Sequence, residues 1–258
     1  MSIRALVSEL FVFGWKEARA CIFAVSLFAV MLLSYPASNL GIARYDFIFV
    51  GALVVQAGLV LSKQETWREV LIISLFHVVG IGLELFKTHP EIASWTYPEA
   101  SFFRIGQVPL YSGFMYAAVG SYVLQAWKLL RLKFTQMPPL WLSSFFALTG
   151  YINFFTKHFI HDIRWWIIAG VFIIFSQTSV FFTAHKKQRS MPLVASFGLI
   201  AFFIWIAENI ATALGAWQYT NQTQGWHLVH PNKISSWFLL FIISFLLVVS
   251  LKKFTRKD

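Results

Sequence analysis

The stretch "REVLIISLFHVVGIGLELFK", residues 68–87, decides how the whole chain is read. About 20 predominantly apolar residues, rising about 1.5 Å each, make a helix as long as a bilayer's hydrocarbon core is thick. Similar runs lie near 20–35, 46–62, 107–127, 138–156, 165–183, 192–215 and 234–251. Eight spans are therefore expected. Pro36, Pro138, Pro139 and Pro192 sit at their ends, where a helix break costs little, and Pro109 lies in a first turn, where its missing N–H is harmless. The fold class read from this pattern is all-α: a polytopic transmembrane helical bundle, a single integral membrane domain over 1–258.

Composition agrees. Hydrophobic residues make up 58% and charged residues 12%, against about 25% charged in soluble proteins. The net charge of +10 does not point to nucleic acid, because the basic residues fall in short loops between apolar runs. Arg4, Lys16, Arg19, Lys63, Arg68, Lys128, Arg131, Lys133, Lys186, Lys187, Arg189, Lys252, Lys253, Arg256 and Lys257 fall in one set of loops and termini. Only Arg44, Lys87, Arg104, Lys157, Arg164 and Lys233 fall in the other. This asymmetry places both termini in the cytoplasm, and a bacterial inner membrane is the expected location. The single cysteine, Cys21, excludes an intrachain disulfide. The N-terminus lacks the small-x-small site of a cleavable signal.

Beyond residue 87 the chain turns polar and aromatic. Glu84 is followed by Thr88, Trp95 and Tyr97; in "ENIATALGAWQY", residues 208–219, Glu208 is followed by Thr212, Trp217 and Tyr219. Both glutamates sit toward the outer ends of spans that run outward, four spans apart. A tandem duplication of four-helix units, 1–133 and 134–258, accounts for the pattern. A weaker echo links "RYDFIFVG" at Arg44 with "RWWIIAG" at Arg164.

A carboxylate inside a span costs about 2.5–3.5 kcal/mol on insertion scales, so it is expected to face the bundle interior beside a partner. Glu84 has Lys87 three residues on and His77 two turns earlier on the same face. Glu208 is followed by Asn209 and has no basic residue within a turn. A third polar group, Asn153, His158, His161, Asp162 and Arg164, surrounds the turn after the fifth span.

Three chemistries could use this set. The first is acid–base catalysis, with Glu208 the expected acid, Glu84 the expected base, and Lys87, His158, Asp162 and Arg164 assisting. His77, Asn153, Asn209, Thr88, Thr212, Trp95, Tyr97, Trp217 and Tyr219 would then contact substrate. The second is a metal held by His158, His161, Asp162 and a glutamate, but the spacing lacks the HExxH pattern, and neither metal nor cofactor is expected. The third is a proton- or ion-coupled transport path. GxSxG and Walker A motifs are absent from the sequence. The expected partners are membrane lipid and a lipid-like small molecule, and the sequence does not set the oligomeric state.

At "ELFKTHPEIASWTYPEASFFRIGQVPLYSGFMY", "NFFTKHF" with Asp162, Arg164 and Trp165, and "AENIATALGAWQY", the chain resembles the YoaT-like family of bacterial inner-membrane proteins of unknown function. That family more often carries histidine at the position of Lys157 and proline at that of His161. His158, Asp162 and Arg164 are left as the matching positions. A shorter likeness, through Glu84, Trp95-Thr96-Tyr97 and Val108-Pro109-Leu110, is to the membrane lycopene cyclases and carotenoid hydratases. It implies cofactor-free acid–base chemistry on a long isoprenoid.

Overall fold

The computed structural model describes residues 3–254, with side chains through residue 250. Arg256 and Lys257 lie outside the described residues, and Lys252 and Lys253 outside the described side chains. In chain order the elements are α1 (Ile3–Ala20), α2 (Ile22–Ser38), α3 (Arg44–Leu61), α4 (Trp67–Lys87), β1 (Arg104–Ile105), β2 (Val108–Pro109) and α5 (Ser112–Leu130). There follow β3 (Lys133–Thr135), α6 (Leu140–Thr156), α7 (Arg164–Ile174), β4 (Ser179–Thr183), β5 (Gln188–Pro192), α8 (Leu193–Ala213) and α9 (Lys233–Phe254). Helices α2 to α9 occupy the eight expected places. Among the described residues α3, α4, α8 and α9 are each long and apolar enough to cross a membrane, and the bent pair α1 and α2 has the composition of a broken span or a re-entrant loop.

Two boundaries differ from the hydropathy reading. The run 165–183 does not continue as one helix: α7 ends at Ile174 and Ser179–Thr183 is a strand. Ser176, Gln177 and Thr178 interrupt the apolar run, and the β-branched and aromatic "SVFFT" that follows suits a strand. At 11 residues, α7 is only about 16 Å long, short of the 30 Å core. The run 107–127 likewise starts late, because Val108–Pro109 pairs with Arg104–Ile105 in a tight hairpin before α5 begins.

The chain forms two compact units. One comprises Met1–Cys21, Tyr122–Trp205 and Pro231–Asp258; the other comprises Ile22–Ser121 and Ile206–His230. In the first, α6, α7 and α9 pack together, Gly170 letting α7 approach the Phe146 ring. The same unit holds the antiparallel sheet β3–β4–β5. Helix α1 turns its charged side toward the sheet: Arg189 donates to Glu9 at 2.6–2.7 Å, and the Lys16 ammonium donates to the Thr183 carbonyl at 2.8 Å. Away from the sheet, Ile3, Val7, Phe11 and Trp15 of α1 are exposed, with Arg4 and Ser8 among them. Large exposed apolar side chains beside a basic residue suit a helix lying at a lipid surface.

In the second unit α2 lies along α3, and α4 packs on α5. The α4–α5 contact is close because it runs through glycine. A methyl group on Gly80 would stand 2.5 Å from the Tyr116 ring, and one on Gly120 would stand 2.5 Å from Phe76. Helix α4 begins with a reciprocal cap. The Glu69 N–H donates to Thr66 Oγ1, and the Thr66 N–H donates to Glu69 Oε2.

Candidate functional site

The site is built in the second unit from the last turns of α4 and α8 and the segments that follow them. Glu84, Lys87 and Thr88 are 2–6% exposed and Glu208, Asn209 and Thr212 are 4–8% exposed. Both helices thus bury the polar faces that the sequence pattern marks.

Helix α8 ends in a Schellman turn. Gly215 sits at φ +62°, the Ala216 N–H donates to the Ala211 carbonyl, and the Gly215 N–H donates to the Thr212 carbonyl. That left-handed residue redirects the chain into the arm Trp217-Gln218-Tyr219. Arg44 fixes the turn. Its guanidinium is 8% exposed, donates to the Leu214 carbonyl at 2.8 Å and to Ser34 Oγ at 3.1 Å, pairs with Glu99, and covers the Tyr35 ring at 3.9 Å. Tyr111 donates its hydroxyl to the Ala216 carbonyl.

The Trp95-Thr96-Tyr97 arm after α4 pairs antiparallel with the Trp217-Gln218-Tyr219 arm. Thr96 and Gln218 exchange both backbone hydrogen bonds at 2.9 Å. Each arm folds back on its own glutamate. Trp95 Nε1 and the Tyr97 hydroxyl both donate to Glu84 Oε2 at 2.7 Å, and the Tyr219 hydroxyl donates to Glu208 Oε1 at 2.6 Å. The Trp95 and Tyr219 rings meet edge to face with centroids 5.9 Å apart. A donor to one carboxylate therefore touches a donor to the other. Burial pushes the Tyr219 hydroxyl well above its usual range, and the Glu208 and then the Glu84 carboxylate add to the effect. Tyr97 is raised likewise, by burial first and Glu84 second.

The other oxygen of Glu84, Oε1, accepts from the Tyr116 hydroxyl at 2.7 Å. The sequence reading missed Tyr116, along with Tyr111 and the clamp made by Arg44. Tyr116 stands among many apolar and aromatic residues in α5, and only its position opposite Gly80 makes it a ligand of Glu84. Arg44 was read as a loop charge, although its place at the head of a span was visible.

Several expected contact residues serve the backbone. Thr88 Oγ1 donates to the Glu84 carbonyl, and Thr212 Oγ1 donates to the Asn209 carbonyl while accepting from Trp226 Nε1. Asn209 Oδ1 accepts from the Val229 N–H at 2.8 Å. Trp217 is buried in its arm. His77 lies 4.5 Å from the Phe114 ring, and its Nδ1 and the Ser112 hydroxyl are buried with no hydrogen-bond partner among the described residues.

The third group belongs to the first unit. Asn153 Nδ2 donates to Asp162 Oδ1 at 2.9 Å, and Arg164 Nε donates to Asp162 Oδ2 at 2.7 Å. Arg164 Nη1 reaches Ser235 and Ser236 of α9 at 3.2 and 3.3 Å. These bonds tie the α6–α7 turn to α9. Burial pushes the Asp162 carboxyl up, but the hydrogen bonds and charge of Asn153 and Arg164 outweigh it and hold the group below the usual range. His158 is exposed. Among the described residues no three His, Cys, Asp or Glu side chains gather as metal ligands.

Residues 9–245 match the family described as protein of unknown function (DUF817). The chain is 46% identical over 247 residues to the protein of Bacillus subtilis (strain 168) described as uncharacterized protein YoaT, covering 96% of this chain and 93% of that one. Among solved structures it resembles the mycobacterial Insig homolog MvINS from Mycobacterium vanbaalenii, with a TM-score of 0.50 and 13% identity over 71% of this chain and 93% of that one. A cross-linked trimer of MvINS gives a TM-score of 0.51 at 13% identity, over 73% of this chain and 95% of that one. The likeness is one of fold.

Proposed function

The chain belongs to the DUF817 family of proteins of unknown function, and within that family we propose a cofactor-free membrane enzyme that moves protons on an apolar, isoprenoid-like or other lipid-like substrate. Glu208 and Glu84 are the acid–base pair. The supporting observation is that the two W-x-Y arms pair with each other and join the two buried carboxylates through the Trp95–Tyr219 contact. Proton transfer needs groups of unlike environment within one water-poor site. Glu84 accepts from Trp95, Tyr97 and Tyr116, and Glu208 accepts from the Tyr219 hydroxyl, a group able to relay a proton. Lys87 is buried one turn on from Glu84 on α4.

The bacterial inner membrane is the proposed location, with both termini cytoplasmic. A proton-coupled transporter or binding protein is the second reading, favoured by the full set of donors on Glu84, which also suits a fixed ion-binding carboxylate.

The test expresses wild type, Glu208→Gln and Glu84→Gln in a bacterial host and compares apolar lipid extracts. A species that depends on wild type and is lost in a folded Glu208→Gln variant supports the enzyme. Extracts that never differ, with proton uptake by wild-type proteoliposomes that Glu208→Gln abolishes, support the second reading. Wild-type behaviour from both folded variants overturns the carboxylate pair.

A further inference from the structure

A separate cleft opens in the first unit, between α1, α5, the β3–β4–β5 sheet, α8 and α9. Its cavity volume is about 80 Å³ and it is partly open to its surroundings, so an occupant would be gripped along one side rather than encapsulated. The walls are aromatic: Trp127 packs on Phe134 with centroids 4.9 Å apart, Phe134 on Phe245 at 5.2 Å, and Phe197 on Phe245 at 5.1 Å.

One carboxylate interrupts this apolar lining. Glu17, on the inner face of α1, accepts from the Tyr122 hydroxyl through Oε2 at 3.0 Å. The neighbouring Lys16 is committed to the Thr183 carbonyl, and among the described residues no cation forms an ion pair with Glu17. A carboxylate carries two oxygens and about four lone-pair sites, so most of its accepting capacity stays open toward an apolar cleft. A ligand that satisfies it must donate a hydrogen bond at one end and be apolar elsewhere. Ser196, also in the lining, spends its own hydroxyl on the Leu193 carbonyl. The exposed Phe11 and Trp15 of the same helix suit a lipid boundary, from which such a molecule could enter.

We propose that this cleft binds a single-chain amphiphile with a hydrogen-bond-donating head, a hydroxyl or an ammonium. The head sits on Glu17 beside Tyr122 and the chain lies along Trp127, Phe134 and Phe245. A carboxylate-headed chain of the same length is excluded, because its charge would face that of Glu17.

The test uses the full chain in lipid nanodiscs and three photoreactive probes of equal chain length: a diazirine-bearing long-chain alcohol, amine and acid. Peptide mapping reads the labelled residues. The alcohol, the amine or both should label the 122–135 segment saturably, and the acid at least about tenfold less, as like-charge repulsion requires. Ala126→Leu, which fills a buried position in the lining, should reduce saturable labelling. Glu17→Gln keeps a hydrogen-bond acceptor beside Tyr122 but removes the charge. It should weaken the amine several-fold and leave the alcohol nearly unchanged, which separates the two heads. Equal labelling by all three probes, or labelling that neither saturates nor responds to Ala126→Leu and Glu17→Gln in folded protein, overturns the proposal.

Discussion

Thr96 and Gln218 exchange both of their backbone hydrogen bonds, each at 2.9 Å, across an isolated antiparallel bridge. Each is the middle residue of a Trp-x-Tyr arm, and each arm reaches the glutamate of its own preceding helix. An antiparallel pair of this kind has a local two-fold relation. A tandem duplication remains our proposal for the repeated motif; the bridge supports it by pairing corresponding positions. The physical effect is clear whatever its origin. The bridge holds Trp95 against Tyr219 and so couples the surroundings of Glu84 and Glu208.

Tyr116→Phe should destabilise the second unit by about 1.5–3 kcal/mol, the usual worth of a hydrogen bond to a charged group. Tyr97→Phe should cost a similar amount. Unfolding of the purified protein in mixed micelles measures both. A near-zero effect for both would mean that the hydroxyls are not bonded to an ionised Glu84.

Gly80→Ala should act through Tyr116. The added methyl would stand 2.5 Å from the Tyr116 ring, so the ring must shift and loosen its grip on Glu84. The double variant Gly80→Ala/Tyr116→Phe should be less destabilised than the sum of the two singles. Additive losses would separate the glycine from the site.

Lys157 predicts a pH dependence in the first unit. Burial, with the charges of Arg164 and Lys233, lowers its ammonium from 10.5 to about 8. The unfolded chain then binds more protons than the folded one between about pH 8 and 10.5, so stability should rise as pH increases through that window. Lys157→Met should flatten the rise and raise the thermal midpoint at neutral pH. A wild-type curve that is flat or falls over the window contradicts the burial of this amine.

Asp162→Asn tests whether the Asn153–Asp162–Arg164 set is structural. Because the Asp162 carboxyl is held below its usual range, its contribution is present above the unfolded pKa and is lost as pH falls through the folded value. The variant should melt lower at neutral pH and lose acid sensitivity, while any lipid product that depends on Glu208 persists. Loss of that product in a well-folded variant would return Asp162 to the catalytic set.

Reporter fusions after residue 258 and within 128–137 should both report cytoplasm, as the distribution of basic residues requires. An outside signal at either position would overturn the proposed orientation.

The sequence by itself determined the membrane class and the places of the main helices, and it singled out Glu84 and Glu208, because hydropathy over twenty residues and a carboxylate inside an apolar run are both properties of local composition. It also marked Trp95, Tyr97, Trp217 and Tyr219 through their repeated spacing. Only the tertiary structure decided that the run after Arg164 breaks into a short helix and a strand, since "SVFFT" becomes a strand by pairing with Lys133–Thr135 and Gln188–Pro192, which are distant in sequence. Only the tertiary structure brought Tyr116 to Glu84, through the space left by Gly80, and turned Arg44 into a clamp on the end of α8. It likewise engaged Asp162 and Arg164 with α6 and α9. Hydrogen bonds between elements tens of residues apart leave no periodic trace in the chain, so the partners of the two carboxylates could be read only once the helices were packed.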